Sequence, residues 1–231
     1  MALFDMPRVP EPEVMDDSAE VDAYSSAAAQ AYLNRIDDTL VEHALRLVKG
    51  RERGSALDIG TGPGQIVVKL ARRLAEWNFT GVDRSPGMIA QAQANLAAAS
   101  GELAGRVEFQ VADGNRLPFP DDSFDLVMCN SVLHHLAEPE KLLSEMSRLV
   151  NSGGAILLRD LRRPGRFAYP LHVRWHGRHY SGVMYRLYCD SVRSAYTVPE
   201  LKGMLDSAAL PRTRVFEHHS THIGLERPIV S

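Results

Sequence analysis

The chain has 231 residues, of which 45% are hydrophobic and 24% charged, with a formal net charge of -3. That length and apolar content suffice for one α/β domain with a sizeable core, and the slightly acidic balance excludes a global attraction for nucleic acid or an anionic membrane while leaving local basic patches open. The two cysteines, Cys129 and Cys189, are far apart and lack metal-type spacing, which excludes a disulfide framework and points to free thiols in a reducing, cytoplasmic setting.

No apolar run is long enough to span a membrane. Met1 to Asp17 is rich in acids and prolines, with Arg8 as its one basic residue. It reads as a loose arm, of the kind that can fold over a site, rather than a leader. Asp17 with Glu20 makes a capping box that opens a helix over Ser18 to Lys49, with Val21, Tyr24, Ala28, Tyr32, Ile36, Leu40 and Leu47 on its apolar face. The chain then alternates strand Ser55 to Ile59, helix Gln65 to Glu76, strand Phe79 to Val82 and helix Pro86 to Ala99, with Ser85 as cap and Pro86 in the first turn. Strands Val107 to Val111 and Phe124 to Cys129, helix Pro139 to Val150 and strand Ala155 to Arg159 follow. Asn151-Ser-Gly-Gly reads as the turn between the last two. After a long insertion come helix Val198 to Ala209 and two strands, Thr213 to His218 and His222 to Glu226, which form an antiparallel edge hairpin. Alternation of this kind predicts a mostly parallel seven-stranded sheet with helices on both faces.

Residues 57 to 65, Leu-Asp-Ile-Gly-Thr-Gly-Pro-Gly-Gln, are an apolar strand ending in an Asp and a loop with glycines at 60, 62 and 64. Glycine there lets the backbone turn sharply and a ligand approach closely. Asp83 ends the second apolar run at the distance a βαβ unit needs to bring a carboxylate to a ribose hydroxyl pair. The third glycine comes too early for a nicotinamide dinucleotide loop. Asp58 before the glycines would repel a pyrophosphate and suits a cationic ligand, such as the amino and sulfonium groups of S-adenosylmethionine.

Four blocks in order, LDIGTGPGQ (57 to 65), GVDRSPGMI (81 to 89), VADGNRLPFPDDSFDLV (111 to 127) and LLSEMSRLVNSGGAILL (142 to 158), resemble the class I S-adenosylmethionine-dependent methyltransferases, nearest the ubiquinone and menaquinone biosynthesis branch. The resemblance implies a Rossmann-like fold. An arm and helical lid would occupy residues 1 to 50 and the methyltransferase domain residues 51 to 231, with a substrate lid inserted at 161 to 197. It implies that Asp58, Gly60, Thr61, Gly62 and Gly64 hold the methionine portion of S-adenosylmethionine, and S-adenosylhomocysteine after transfer. Asp83, with Arg84 beside it, would accept the ribose hydroxyls, and Met88 would pack on the adenine. Asp113, with Ala112 and Gly114, would read the adenine edge, and Asn130 would lie under the sulfonium.

Methyl transfer depends chiefly on holding a nucleophile in line with the S–CH3 bond, so a universal catalytic residue is not required. Where the acceptor is a phenol, an enol or a ring carbon beside a hydroxyl, a histidine can remove its proton. His134, ahead of His135, is the candidate; the alternative is that one of them caps the following helix. Cys129 reads as strand core. Arg159 to Tyr180 holds Arg159, Arg162, Arg163, Arg166, Arg174 and Arg178 with His172, His176 and His179, against Asp160 as its one acid. Such donors suit an anionic or polar acceptor, and the other reading is a solvated or dimer-facing helix. Arg159, Arg162, Arg163, His176 and His179 are therefore expected at the substrate, joined by Tyr24 and Tyr32 of the first helix. No metal is expected. The acceptor is expected to be a small molecule, with RNA modification and a noncatalytic S-adenosylmethionine sensor as alternatives. Nucleic acid is the less favoured partner, and homodimerisation is left open.

Overall fold

In the computed structural model, which describes residues 6–11, 27–99, 101–208 and 210–230, the period-two pattern of the strands determines the layering. The central strands are apolar on both faces. Ala56, Leu126, Met128, Ala155 and Leu157 face one core layer. Their alternates Leu57, Ile59, Val127, Cys129, Ile156 and Leu158 face the other, as parallel strands covered by helices on both sides require.

The strands are β1 (Arg53–Ile59), β2 (Glu76–Asp83), β3 (Val107–Val111), β4 (Phe124–Asn130), β5 (Val150–Leu161), β6 (Arg214–His218) and β7 (His222–Arg227). Their order is β3-β2-β1-β4-β5-β7-β6. β1 to β5 run parallel, and β7 is antiparallel to both β5 and β6. The order reverses between β1 and β4, and the crevice past their carboxyl ends is where an open α/β sheet binds ligands. The helices are α1 (Ala27–Leu47), α2 (Gln65–Arg73), α3 (Pro86–Ala98), α4 (Pro139–Leu149), α5 (Tyr169–His176), α6 (Gly182–Ser194) and α7 (Val198–Ser207).

Local chemistry accounts for most boundaries. Ser85 Oγ accepts from the Met88 N–H, with Pro86 in the first turn of α3. Thr197 and Glu200 form a reciprocal capping box at α7. In α1 and just past its end, Leu40, Val41, Ala44, Leu47 and Val48 are buried in the core layer, each large side chain contributing about 2 kcal/mol. His43 Nε2 lies 2.5 Å from Glu226 Oε2 of β7, so the carboxyl half of α1 belongs to the core as well as standing over the site. No helix among the described residues is long and apolar enough to cross a membrane.

Two expectations are corrected. α2 stops at Arg73, and β2 begins at Glu76, because Trp77 turns in and is fully buried. The Asn151-Ser-Gly-Gly turn is instead the opening of β5. Val150 pairs with Phe124 directly after α4, and a register shift between Phe124 and Leu126 takes up the extra residues. The 161 to 197 insertion holds α6 as well as α5. The capping box at Asp17 and Glu20 lies outside the described residues.

Gly224 of β7 lies between β5 and β6, where a Cβ would stand 2.0 Å from the Leu158 carbonyl oxygen and 2.6 Å from the Phe216 ring. Backbone cannot yield as a side chain does. Gly224→Ala is expected to cost about 3 kcal/mol, read as a lowered urea midpoint with unchanged slope.

Candidate functional site

The loop after β1 wraps over the end of β2: the N–H groups of Gly60 and Thr61 both donate to the Val82 carbonyl, at 2.8 and 2.9 Å. Gly60 has φ +73°, and a Cβ there would sit 2.2 Å from Val132 Cγ2, so this turn demands glycine. Asp83 is fixed by the same loop. Its Oδ2 accepts from Gly62 N–H at 2.8 Å and its Oδ1 from Ser85 N–H at 2.9 Å. A carboxylate has about four acceptor positions, so capacity for a diol remains.

These groups open on a cavity of about 300 Å3 whose lining includes Asp58, Gly60, Thr61, Gly62, Asp83, Arg84, Met88, Ala112, Asp113, Gly114 and Asn130. Eleven of the twelve residues expected at a cofactor are thereby brought together. Gly64 is the exception: it stands outside the lining as the N-cap of α2, its carbonyl accepting from Val68 N–H. Asp113 lines the cavity and also closes a turn, Oδ1 accepting from Asn115 N–H at 3.0 Å.

Asp58 is buried, and neither of its carboxylate oxygens has a hydrogen-bond partner among the described residues. Burial, opposed by the nearby Thr61 hydroxyl and reinforced by Asp83 and Asp37, pushes its pKa up to about 7. Asp37 of α1 lines the same end and is pushed up to about 6 by burial, against the pull of Lys69 and Arg159. Two carboxyls short of compensation at one end of a cavity fit a cationic ligand group.

At the other end, β4 leads into the 3-10 turn Leu133–His135. His134 Nδ1 lies 2.5 Å from Asp160 Oδ1, and its backbone N–H donates to Asp160 Oδ2 at 3.0 Å. Burial alone would lower His134 and raise Asp160. Their mutual contact outweighs it, holding His134 above the usual imidazole value and Asp160 below the usual carboxylate value. The Nε2 edge faces Glu11 of the amino-terminal arm, with Oε1 3.4 Å from His134 Nε2 and 2.9 Å from His135 Nδ1. Arg8 anchors that arm by donating to Ser194 O (2.6 Å) and His134 O (2.9 Å) and stacking 4.3 Å from the Tyr196 ring. Glu11, His134 and His135 are close enough together for a cation. The two imidazole rings stand 4.1 Å apart between centroids and are tilted by 35°.

The acceptor-side expectations are largely corrected. His176 does line the cavity. Arg159 lies beneath it, buried, donating to Asn130 Oδ1 (3.0 Å), Thr39 Oγ1 (2.8 Å) and Ile36 O (3.2 Å). Arg162 pairs at 2.5 Å with Glu217. Arg163 is buried against Ala195 O, Met6 O and Glu200, where it joins arm, insertion and α7. His179 is exposed and outside the lining, past the end of α5 at His176. Tyr24 lies outside the described residues, as does the side chain of Tyr32. In place of arginines, Leu136, Leu161, Tyr180, Met184, Leu187 and Tyr188 line the cavity. Asp160, Glu11 and Asp37 escaped sequence reasoning; the only signal was Asp160, an acid alone among arginines at the end of β5.

Residues 57–158 match the family model described as a methyltransferase domain. The chain is 31% identical over 148 residues to the ubiquinone/menaquinone biosynthesis C-methyltransferase of Geotalea daltonii, covering 62% of each. It is 30% identical over 139 residues to the protein of that name from Geobacter sulfurreducens, covering 58% of this chain and 54% of the relative. The chain thus spans a little over half the length of these curated relatives. A methyltransferase structure from Aquifex aeolicus shares the fold with a TM-score of 0.67 at 19% identity, covering 94% of this chain and all of the other.

The pKa of Asp58 is raised on folding from 3.8 to about 7. Its contribution to stability is therefore complete below the lower value and lost as pH rises through the upper one, at about 1.4 kcal/mol per pH unit at the steepest. Thermal melts of the ligand-free protein between about pH 5 and about pH 8 are expected to show a falling Tm that Asp58→Asn flattens.

Proposed function

We propose that the chain, which resembles the S-adenosylmethionine-dependent methyltransferases over residues 57–158, methylates a small, largely apolar aromatic acceptor whose reacting atom is activated by His134. S-adenosylmethionine, when bound, supplies an electrophilic methyl group on a sulfonium. The chain's own residues supply the rest. Asp58 and Asp37 compensate the cationic end of the cofactor, Asp83 takes the ribose hydroxyls, and Met88 with Ala112 and Gly114 forms the adenine slot.

The carrying observation is the buried Asp160–His134 pair beside an acceptor end walled by Leu161, Met184, Leu187, Tyr180 and Tyr188. Asp160 holds Nδ1, which fixes the ring's orientation and leaves Nε2 as the nitrogen that takes a proton. The carboxylate beside the His135 imidazole is instead the arm's Glu11, 2.9 Å from Nδ1. A wall of this composition favours an aromatic body over the anion suggested by the arginine pattern, whose guanidiniums Arg162 and Arg163 are engaged elsewhere. The relatives named for C-methylation in ubiquinone and menaquinone biosynthesis point the same way, and we infer a ring carbon beside a hydroxyl as the methylated atom.

Methyl-labelled S-adenosylmethionine offered with hydroxylated aromatics, anionic metabolites or RNA tests the acceptor class. Label in the aromatics together with S-adenosylhomocysteine supports the reading, and label confined to RNA or to anionic metabolites refutes it. With a competent acceptor, kcat/KM is expected to rise with pH through the elevated pKa of His134. His134→Asn should lower kcat by about 100-fold or more with cofactor affinity nearly unchanged. Asp160→Asn should keep part of the rate and move the rising limb to lower pH, because burial then acts on the imidazole without its carboxylate.

A further inference from the structure

Helix α5 and the turn before it carry the three most exposed large apolar side chains among the described residues: Phe167 at 73%, Leu171 at 70% and Trp175 at 61%. Their four-residue spacing aligns them along one side. The helical hydrogen bonding already begins at Gly165, whose carbonyl accepts from Tyr169 N–H at 3.0 Å, so Phe167 keeps this register. The opposite side is where α5 is held: Val173 is buried, and the Tyr169 hydroxyl donates to the Cys189 carbonyl at 3.1 Å. The apolar ridge is thus fixed facing outward by a well-packed inner face.

Its flanks are cationic. Between Leu161 and Cys189 the sequence has no acid. Arg166, Arg174 and Arg178 are exposed, with the Arg178 guanidinium 4.7 Å from the Trp175 ring centroid and donating to the Trp175 carbonyl at 2.5 Å. This concentration of positive charge sits on a chain whose formal net charge is -3. A ridge of Phe, Leu and Trp bordered by guanidiniums matches the two layers of an anionic lipid surface. Rings and aliphatic groups enter the acyl boundary, while long arginine stems let the cations reach the phosphates. Continuing from α5, His176, Tyr180, Met184, Leu187 and Tyr188 wall the acceptor end of the cavity.

We propose that this face of α5 docks the protein onto an anionic lipid bilayer, with Phe167, Leu171 and Trp175 inserted and Arg166, Arg174 and Arg178 at the headgroups. The docking stands on exposure and charge and does not depend on the acceptor assigned above.

The full chain is mixed with vesicles of phosphatidylcholine alone or with added phosphatidylglycerol, then sedimented. Binding is expected to be stronger to the anionic vesicles, with a blue shift in tryptophan emission. Trp175 is the reporter, because the other tryptophan, Trp77, is fully buried. The triple variant Phe167→Ser, Leu171→Ser, Trp175→Ser, shown by its Tm to be folded, should lose about tenfold or more in vesicle binding. Arg166→Gln, Arg174→Gln, Arg178→Gln should bind both vesicle types alike. Failure of the parent chain to bind anionic vesicles, or undiminished binding by the serine variant, overturns the proposal. So does a dimer in sedimentation velocity that the serine variant abolishes while vesicles bind neither protein, since a second copy would then cover the face.

Discussion

Strand β1 is paired along both edges and packed on both faces, and it carries a carboxyl, Asp58, into that interior. A buried carboxyl without hydrogen-bond partners is costly to ionise. That cost fixes much of the site's character. Asp58 stands where the strand order reverses, so its charge is placed at the mouth of the crevice, and Asp37 is brought to the same end by a helix whose other half is core. A ligand with positive charge relieves both groups at once. The Asp83 carboxylate, a strand away, is treated differently by the fold: two backbone N–H groups orient it.

The opposite end of the cavity uses charge in another way. Asp160 and His134 are both buried, but each is the other's compensation, and their separation of 2.5 Å keeps the imidazole above its ordinary pKa. The amino-terminal arm completes this end. Arg8 reads three carbonyls, of His134, Leu136 and Ser194, and thereby sets Glu11 against both histidines. The surroundings of Asp58 and of His134 are thus polarised in sequence-distant ways around one cavity, the first by strands β1 and β2, the second by β5 and the arm.

The arginines of residues 159 to 178 show how composition misleads when partners are unknown. Arg159, Arg162 and Arg163 are close in sequence, yet one lies under the site floor, one is on the surface with Glu217, and one is buried with Glu200. Strand alternation sends neighbours to opposite faces, so a run of like residues at a strand end does not make a patch. On α5 the period is helical, and residues four apart do share a side.

The sequence by itself determined the layered α/β architecture and most of the residues that the β1 and β2 loops bring to the cavity. Apolar periodicity specifies strand and helix, and the Asp58 loop and Asp83 are local devices whose backbone hydrogen bonds lie within one βαβ unit. Trp77 and Asn151 defeated boundary readings because burial and a register shift are decided by neighbouring strands. Only the tertiary structure decided the surroundings of His134. Asp160 meets His134 across 26 residues, Glu11 meets it across more than a hundred, and each guanidinium's partner comes from a different element. Such pairings depend on where strands and helices stand relative to one another, which the spacing of residues along the chain does not encode.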